Sequence, residues 1–128
     1  MIIDSSALVA IVMSEPGHEE LLARVLSAAP AGLPAPAFAE TAFVLSRLTG
    51  GDPQPHLVKL LEALDIQIIP FTERHAQLAV SCFLTFGKGR HPASLNFGDC
   101  LVYAVAKAAG EPLLFVGNDF ARTDLSPS

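Results

Sequence analysis

Residues 94–110, SLNFGDCLVYAVAKAAG, decide how this chain is read. From Phe97 to Ala109 the apolar residues Leu101, Val102, Ala104, Val105 and Ala108 recur at helical spacing, which predicts a buried helix. Asp99 stands in its first turn, against the apolar stripe. Capping accounts for one such acid: Asn96 has the chemistry of an N-cap, and a carboxylate three residues on is favoured near the positive end of the helix dipole. Capping accounts less well for several acids in comparable places, and the rest of the chain supplies three more.

Outward from this helix, short strands alternate with helical segments. MIID reads as a strand ending in an acid, and SSALVAIVM as a helix capped by Ser5 or Ser6. A second helix starts near Gly17 or His18. A short extended piece at GLP precedes a helix that opens around Pro36 and stops at Gly50-Gly51. DPQPHLVKLLEAL is helical, DIQIIPF is an alternating β-branched strand, and TERHAQLAVSCFLTFG is a helix with a Thr cap. KGRHPAS is a basic loop. After the quoted helix come a strand in EPLLFVG and a loop and tail in NDFARTDLSPS. This order predicts a three-layer α/β/α fold with a mostly parallel central sheet, one domain over 1–128, with its functional crevice at the carboxyl ends of the strands.

Composition narrows the class. With 128 residues, 51% of them hydrophobic, the chain holds one real core and is no disordered tail. The longest uncharged run, Val25 to Ala39, is interrupted by Pro30, Pro34 and Pro36, so no membrane span is expected. The apolar N-terminus has no basic flank and is broken by Asp4, against a signal peptide. Cys82 and Cys100 form neither a disulfide framework nor a metal spacing and read as reduced, buried thiols of a cytoplasmic protein. The net charge of −5, from 13 acids and 8 bases, argues against nucleic-acid binding when taken as a sum. Four acids serving as metal ligands would leave 9 against 8.

Those four are Asp4, at the end of the first strand; Glu40, in the first turns of the apolar helix PAFAETAFVL; Asp99; and Asp119, after the last strand in LLFVGNDF. Asp4 alone could cap a helix, Glu40 could answer a dipole, and Asp119 could be a turn residue. Together they suggest one acidic pocket. Carboxylates repel and are costly to desolvate, so a cluster calls for a cation, and oxygen donors alone favour Mg²⁺ or Mn²⁺ over zinc.

MIIDSSALVAI, AFAETAFVL, KGRHPASLNFGDCLVYAVAK and LLFVGNDFARTDL resemble, in order and spacing, the motifs of the PIN-domain family, and more closely its VapC-type toxins of bacterial toxin–antitoxin systems. The resemblance spans almost the whole chain. It implies a Mg²⁺- or Mn²⁺-dependent endoribonuclease that hydrolyses phosphodiester bonds, is neutralised by a VapB-type antitoxin and meets DNA only through the antitoxin. Apolar residues in SSALVAIVMSEPGHEELLARVL and in the helix after Pro36, more than a small sheet covers, predict the antitoxin's docking surface there and a homodimer elsewhere. Asp4, Glu40, Asp99 and Asp119 match the family's acidic quartet. Asp4, Asp99 and Asp119 match its metal set, with Asp4 and Asp99 as direct ligands. Ser6 matches a supporting hydroxyl, and Asp124 a further acid seen in part of the family. In some relatives an antitoxin arginine reaches the acidic pocket.

Lys88, Arg90 and His91 form the one basic cluster and, with Arg122, are candidates for RNA phosphates or else an ordinary solvated loop. Phe38, Phe43 and Phe97 read as core. Two other phosphoryl-handling folds fit worse. A haloacid-dehalogenase-like phosphatase needs a second Asp where Ser6 stands, and a receiver domain needs adjacent early acids and a late Lys. A non-catalytic acidic interaction module that keeps only antitoxin binding is the remaining alternative.

Overall fold

The computed structural model describes residues 1–126. Strands β1 (Ile2–Ile3), β2 (Ala31–Pro34), β3 (Ile66–Ile69) and β4 (Leu113–Leu114) form one parallel sheet. The helices are α1 (Ser5–Val12), α2 (His18–Ser27), α3 (Ala35–Thr49), α4 (Gln54–Ala63), α5 (Glu73–Phe86) and α6 (Phe97–Ala109), followed by a 3-10 turn at Phe120–Arg122. The architecture is the three-layer α/β/α arrangement anticipated from the sequence.

Strand order is β3-β2-β1-β4. The chain therefore steps outward from β1 through β2 to β3, then crosses back to place β4 on the other side of β1. Ile2 registers with both Gly32 and Leu113, and the Asp4 amide donates to the Leu114 carbonyl at 2.9 Å. The Ile69 side chain packs over Gly32, where an added Cβ would stand 2.4 Å from Ile69 Cδ1 and force that side chain to shift. The switch in direction falls between β1 and β4. In open α/β sheets such a point leaves a crevice beyond the strand ends.

The core is apolar and continuous. Ile2, Ile3, Leu33, Leu113 and Leu114 of the sheet pack with Leu8, Val25, Leu57, Val102 and Val105 of the helices. On α6 the buried face includes Tyr103 and Ala106, whereas Ala108 is exposed. The cap of α1 is neither Ser5 nor Ser6 but Asp4, the other candidate, whose carboxylate accepts the Ser6 amide. Phe38 is partly buried as core, but Phe43 and Phe97 are not, at 67% and 78% exposed. They project from faces of α3 and α6 that the sheet does not cover. Cys82 and Cys100 are both free and buried, and burial pushes both thiols up from their ordinary pKa.

Candidate active site

The switch point gathers the acids. Asp4 leaves β1 there, and Asp119 lies on the loop beyond β4. Asp99 opens α6, the helix that returns to β4, and Glu40 sits in α3 after β2.

Three of them, Asp4, Glu40 and Asp99, are held by local structure. Asp4 is buried at 6% exposure, and its Oδ2 accepts both the Ser6 amide at 3.1 Å and the Ser6 hydroxyl at 2.5 Å. The same Ser6 oxygen accepts the Val116 amide at 3.0 Å, tying the start of α1 to the chain leaving β4. Glu40 Oε1 accepts a short hydrogen bond from the Ser5 hydroxyl. Asp99 takes part in a reciprocal cap: its amide donates to Asn96 Oδ1 at 2.9 Å, and its Oδ2 accepts the Asn96 amide at 3.1 Å. The capping explanation is thus correct for Asp99 and Asp4, and it does not exhaust either residue.

The electrostatics show what capping leaves out. Burial raises the Asp99 carboxyl to about 6 against the lowering effect of the Asn96 amide, and the charges of Asp4, Asp119 and Glu40 push it further up. Asp4 is also raised, by burial first and by Glu40 as well, while its Ser6 bonds oppose the shift. Four carboxylates from four segments share one field, with Asp119 exposed at its rim. Among the described residues, no three His, Cys, Asp or Glu side chains stand close enough, as placed, to close on a metal ion. The donor chemistry nevertheless fits a hard divalent cation: every member offers oxygen, and the shared repulsion is what such an ion relieves.

The basic candidates make different contacts. Lys88 is exposed on the 87–96 loop. The Arg90 guanidinium lies 5.6 Å over the Phe83 ring. Arg122 reaches the Pro92 carbonyl at 3.4 Å, so it braces that loop against the 3-10 turn. His91 accepts the Ala93 amide and packs edge-on to Phe86.

Two contributors escaped the sequence reading. Ser5 holds Glu40, and its signal was a second hydroxyl directly after a strand-end acid, at a position that turns out to be buried. Gly98 lies against Glu40, where an added Cβ would stand 2.7 Å from Oε2. Its signal was the smallest residue wedged between Phe97 and Asp99.

A profile of the PIN domain matches residues 1–125. Ribonuclease VapC36 of Mycobacterium tuberculosis (strain H37Rv) is 43% identical over 126 residues, covering 98% of this chain and 91% of that one. Ribonuclease VapC of Mycolicibacterium smegmatis is 37% identical over 126 residues, covering 98% of each. Among solved structures, Mycobacterium tuberculosis VapC20, a sarcin-ricin-loop-cleaving toxin, superposes with a TM-score of 0.76 at 15% identity, covering 99% of this chain and 97% of that one. A toxin–antitoxin complex from Klebsiella pneumoniae gives 0.74 at 15% identity with the same coverage. At that identity the superpositions establish the shared fold, and the full-length sequence matches establish descent. The acids at the switch point therefore sit in a chain that belongs to the PIN-domain family, within its VapC group.

Proposed function

We propose that this chain is a divalent-metal-dependent endoribonuclease, the toxin of a toxin–antitoxin pair. The observation that carries this reading is the shared field of Asp4, Glu40, Asp99 and Asp119 at the sheet's switch point, in a chain with VapC ribonucleases as relatives. Asp4, Asp99 and Asp119 would hold Mg²⁺ or Mn²⁺, which when bound supplies Lewis-acid chemistry, polarising water and a phosphate oxygen. The chain's own residues do the arranging. Ser6 fixes the Asp4 carboxylate and ties it to the loop after β4. Ser5 orients Glu40 towards the same space, and the Asn96 cap prevents Asp99 from swinging out. Lys88 and Arg90, on the loop that runs into Asp99, offer positive charge to RNA phosphates beside an otherwise acidic crevice.

Two apolar surfaces support the partner reading. A groove of about 600 Å³ between α1, α3 and α4, lined by Ile11, Val12, Met13, Leu45, Leu57 and Leu60, suits an amphipathic segment of a VapB-type antitoxin. A second, of about 650 Å³, runs along α5 and α6 under Val80, Phe83, Phe97 and Leu101 and suits a second copy of the chain. No helix among the described residues is long and apolar enough to cross a membrane. The free buried thiols agree with a reducing, cytoplasmic setting.

The test is RNA cleavage by the purified chain with Mg²⁺ or Mn²⁺ and with a chelator, alongside Asp4→Asn and Asp99→Asn. Each variant keeps its side chain's shape and drops one charge. Cleavage in the metal only, lost in both folded variants, is expected. Wild-type rates in chelator or in either variant would refute the mechanism, and a folded chain that binds antitoxin without cleaving RNA would establish the interaction-module alternative.

A further inference from the structure

Three of the four clustered acids are pinned directly: Asp4 by Ser6, Glu40 by Ser5, and Asp99 by the Asn96 amide. Asp119 is not. Among the described residues its carboxylate caps nothing and accepts no hydrogen bond. Its place is inherited from the backbone of the segment that returns after β4. That segment is tied at both ends. Upstream, the Val116 amide donates to Ser6 Oγ at 3.0 Å. Downstream, Asp124 is gripped by two residues one turn apart on α6: the Tyr103 hydroxyl donates to Oδ1 at 2.6 Å, and the Lys107 ammonium to Oδ2 at 2.7 Å. Between the ties Phe120 is buried and packs on Phe115, and the Thr123 hydroxyl links the Phe120 carbonyl to the Leu125 amide.

Asp124 itself stands outside the acidic group. The charges that bear on Asp99 are those of Asp4, Asp119 and Glu40; Asp124, paired with Lys107, is not among them. Both of its oxygens are already engaged. The helix that grips it is the helix that begins at Asp99, so one rigid element references two members of the site: Asp99 directly, and Asp119 through the clamp.

We propose that Asp124 is a positioning residue for Asp119: the Tyr103–Asp124–Lys107 clamp seats the return segment on α6 and thereby sets where the fourth carboxylate stands. This rests on the reading of the four acids as the hydrolytic site.

The test compares wild type, Asp124→Ala, Asp124→Asn and Tyr103→Phe in the full chain by amide hydrogen exchange, by Mn²⁺ titration and by RNA cleavage. In Asp124→Ala, exchange across residues 117–122 accelerates while the sheet and the body of α6 stay protected. Its kcat falls roughly ten- to a hundred-fold at unchanged KM, the scale set by a misplaced catalytic group. Asp124→Asn still accepts from Tyr103 and restores kcat to within a few-fold of wild type (about threefold). In an Asp119→Asn background, Asp124→Ala changes neither Mn²⁺ affinity nor kcat further, because the residue acts through Asp119. If Asp124→Ala does not fold, Tyr103→Phe, which removes one hydroxyl and keeps the ring, gives the same pattern with smaller amplitude. Unchanged exchange at 117–122, or an equal loss of kcat in both backgrounds, overturns the proposal. A wild-type chain that cleaves no RNA refutes the ribonuclease reading instead, while exchange and Mn²⁺ titration still decide the clamp.

Discussion

At Asp99 one carboxylate oxygen is committed to the start of a helix, while the charge as a whole stands among three other acids. The consequence is a defined pH dependence. With its carboxyl raised to about 6 from the ordinary 3.8, the native state binds this proton more tightly than the unfolded chain does. The stabilisation from this group is complete below the ordinary value and is lost as pH rises through about 6; Asp4, raised as well, contributes with the same sign. Metal-free protein is expected to melt at a higher temperature near pH 5 than near pH 7.5, relative to Asp99→Asn measured in parallel. The variant keeps an oxygen for the Asn96 amide, so the difference between the two curves isolates the charge. Parallel curves would show that Asp99 acts as a cap and nothing more. A divalent ion competes with that proton, so Mn²⁺ at ten times its dissociation constant stabilises the wild type by roughly 1.4 kcal/mol at neutral pH, by mass action, and by much less below pH 6. Differential scanning calorimetry at the two pH values checks this.

The first turn of α6 joins three jobs in four residues: Asn96 caps, Gly98 makes room, and Asp99 faces the site. Gly98→Ala forces a methyl group against Glu40 Oε2, the far end of a flexible chain, so the fold can yield there at little cost. The melting temperature is expected to move only slightly while cleavage drops by roughly tenfold or more, because a carboxylate has been displaced. A variant with wild-type activity would remove Glu40 from the machinery. On the loop leading into this turn, Lys88→Ala with Arg90→Ala should weaken RNA binding and flatten its dependence on salt, since each lost phosphate contact releases fewer counterions. A filter-binding series across ionic strength measures that slope, and an unchanged slope leaves the loop without a role in binding. The bounds of α6 and its cap were legible because Asn96, Asp99 and the apolar period agree. The cap of α1 was legible only as one of two options, because Ser5 or Ser6 and Asp4 all had the chemistry for it; Asp4 takes the position, and a capping role does not displace its charge from the acidic group. Phe43 and Phe97 were misassigned to the core for a related reason: periodicity marks apolar faces and does not say whether this chain or another molecule covers them.

Across the whole molecule, the strands and the three-layer architecture were readable from alternating patterns. The order β3-β2-β1-β4 was not, and that order decides which acids meet. Asp4 and Asp119 are 115 positions apart in a 128-residue chain, and only the placement of β4 beside β1 brings them to one crevice. The partner surfaces follow from the same arrangement, which leaves the α1/α3/α4 groove and the α5/α6 face without cover. Met13→Asp, at an exposed position lining the first groove, is expected to abolish capture of the antitoxin while leaving RNA cleavage intact. Phe97→Asp is expected to shift the chain towards monomer in light scattering without unfolding it, since that side chain is mostly exposed. Antitoxin binding retained by the first variant, or an unaltered oligomeric state in the second, would reassign those faces.

The pairing of β1 with β4 also bears on when the protein becomes active during its own synthesis. Parallel pairing between distant segments forms late, since it awaits closure of nearly the whole chain. A nascent chain that stops short of Leu113 holds Asp4, Glu40 and Asp99 but has no strand to dock beside Ile2 and no Asp119. On the proposed role of Asp119, translation products that stop short of Leu113 are expected to cleave no RNA.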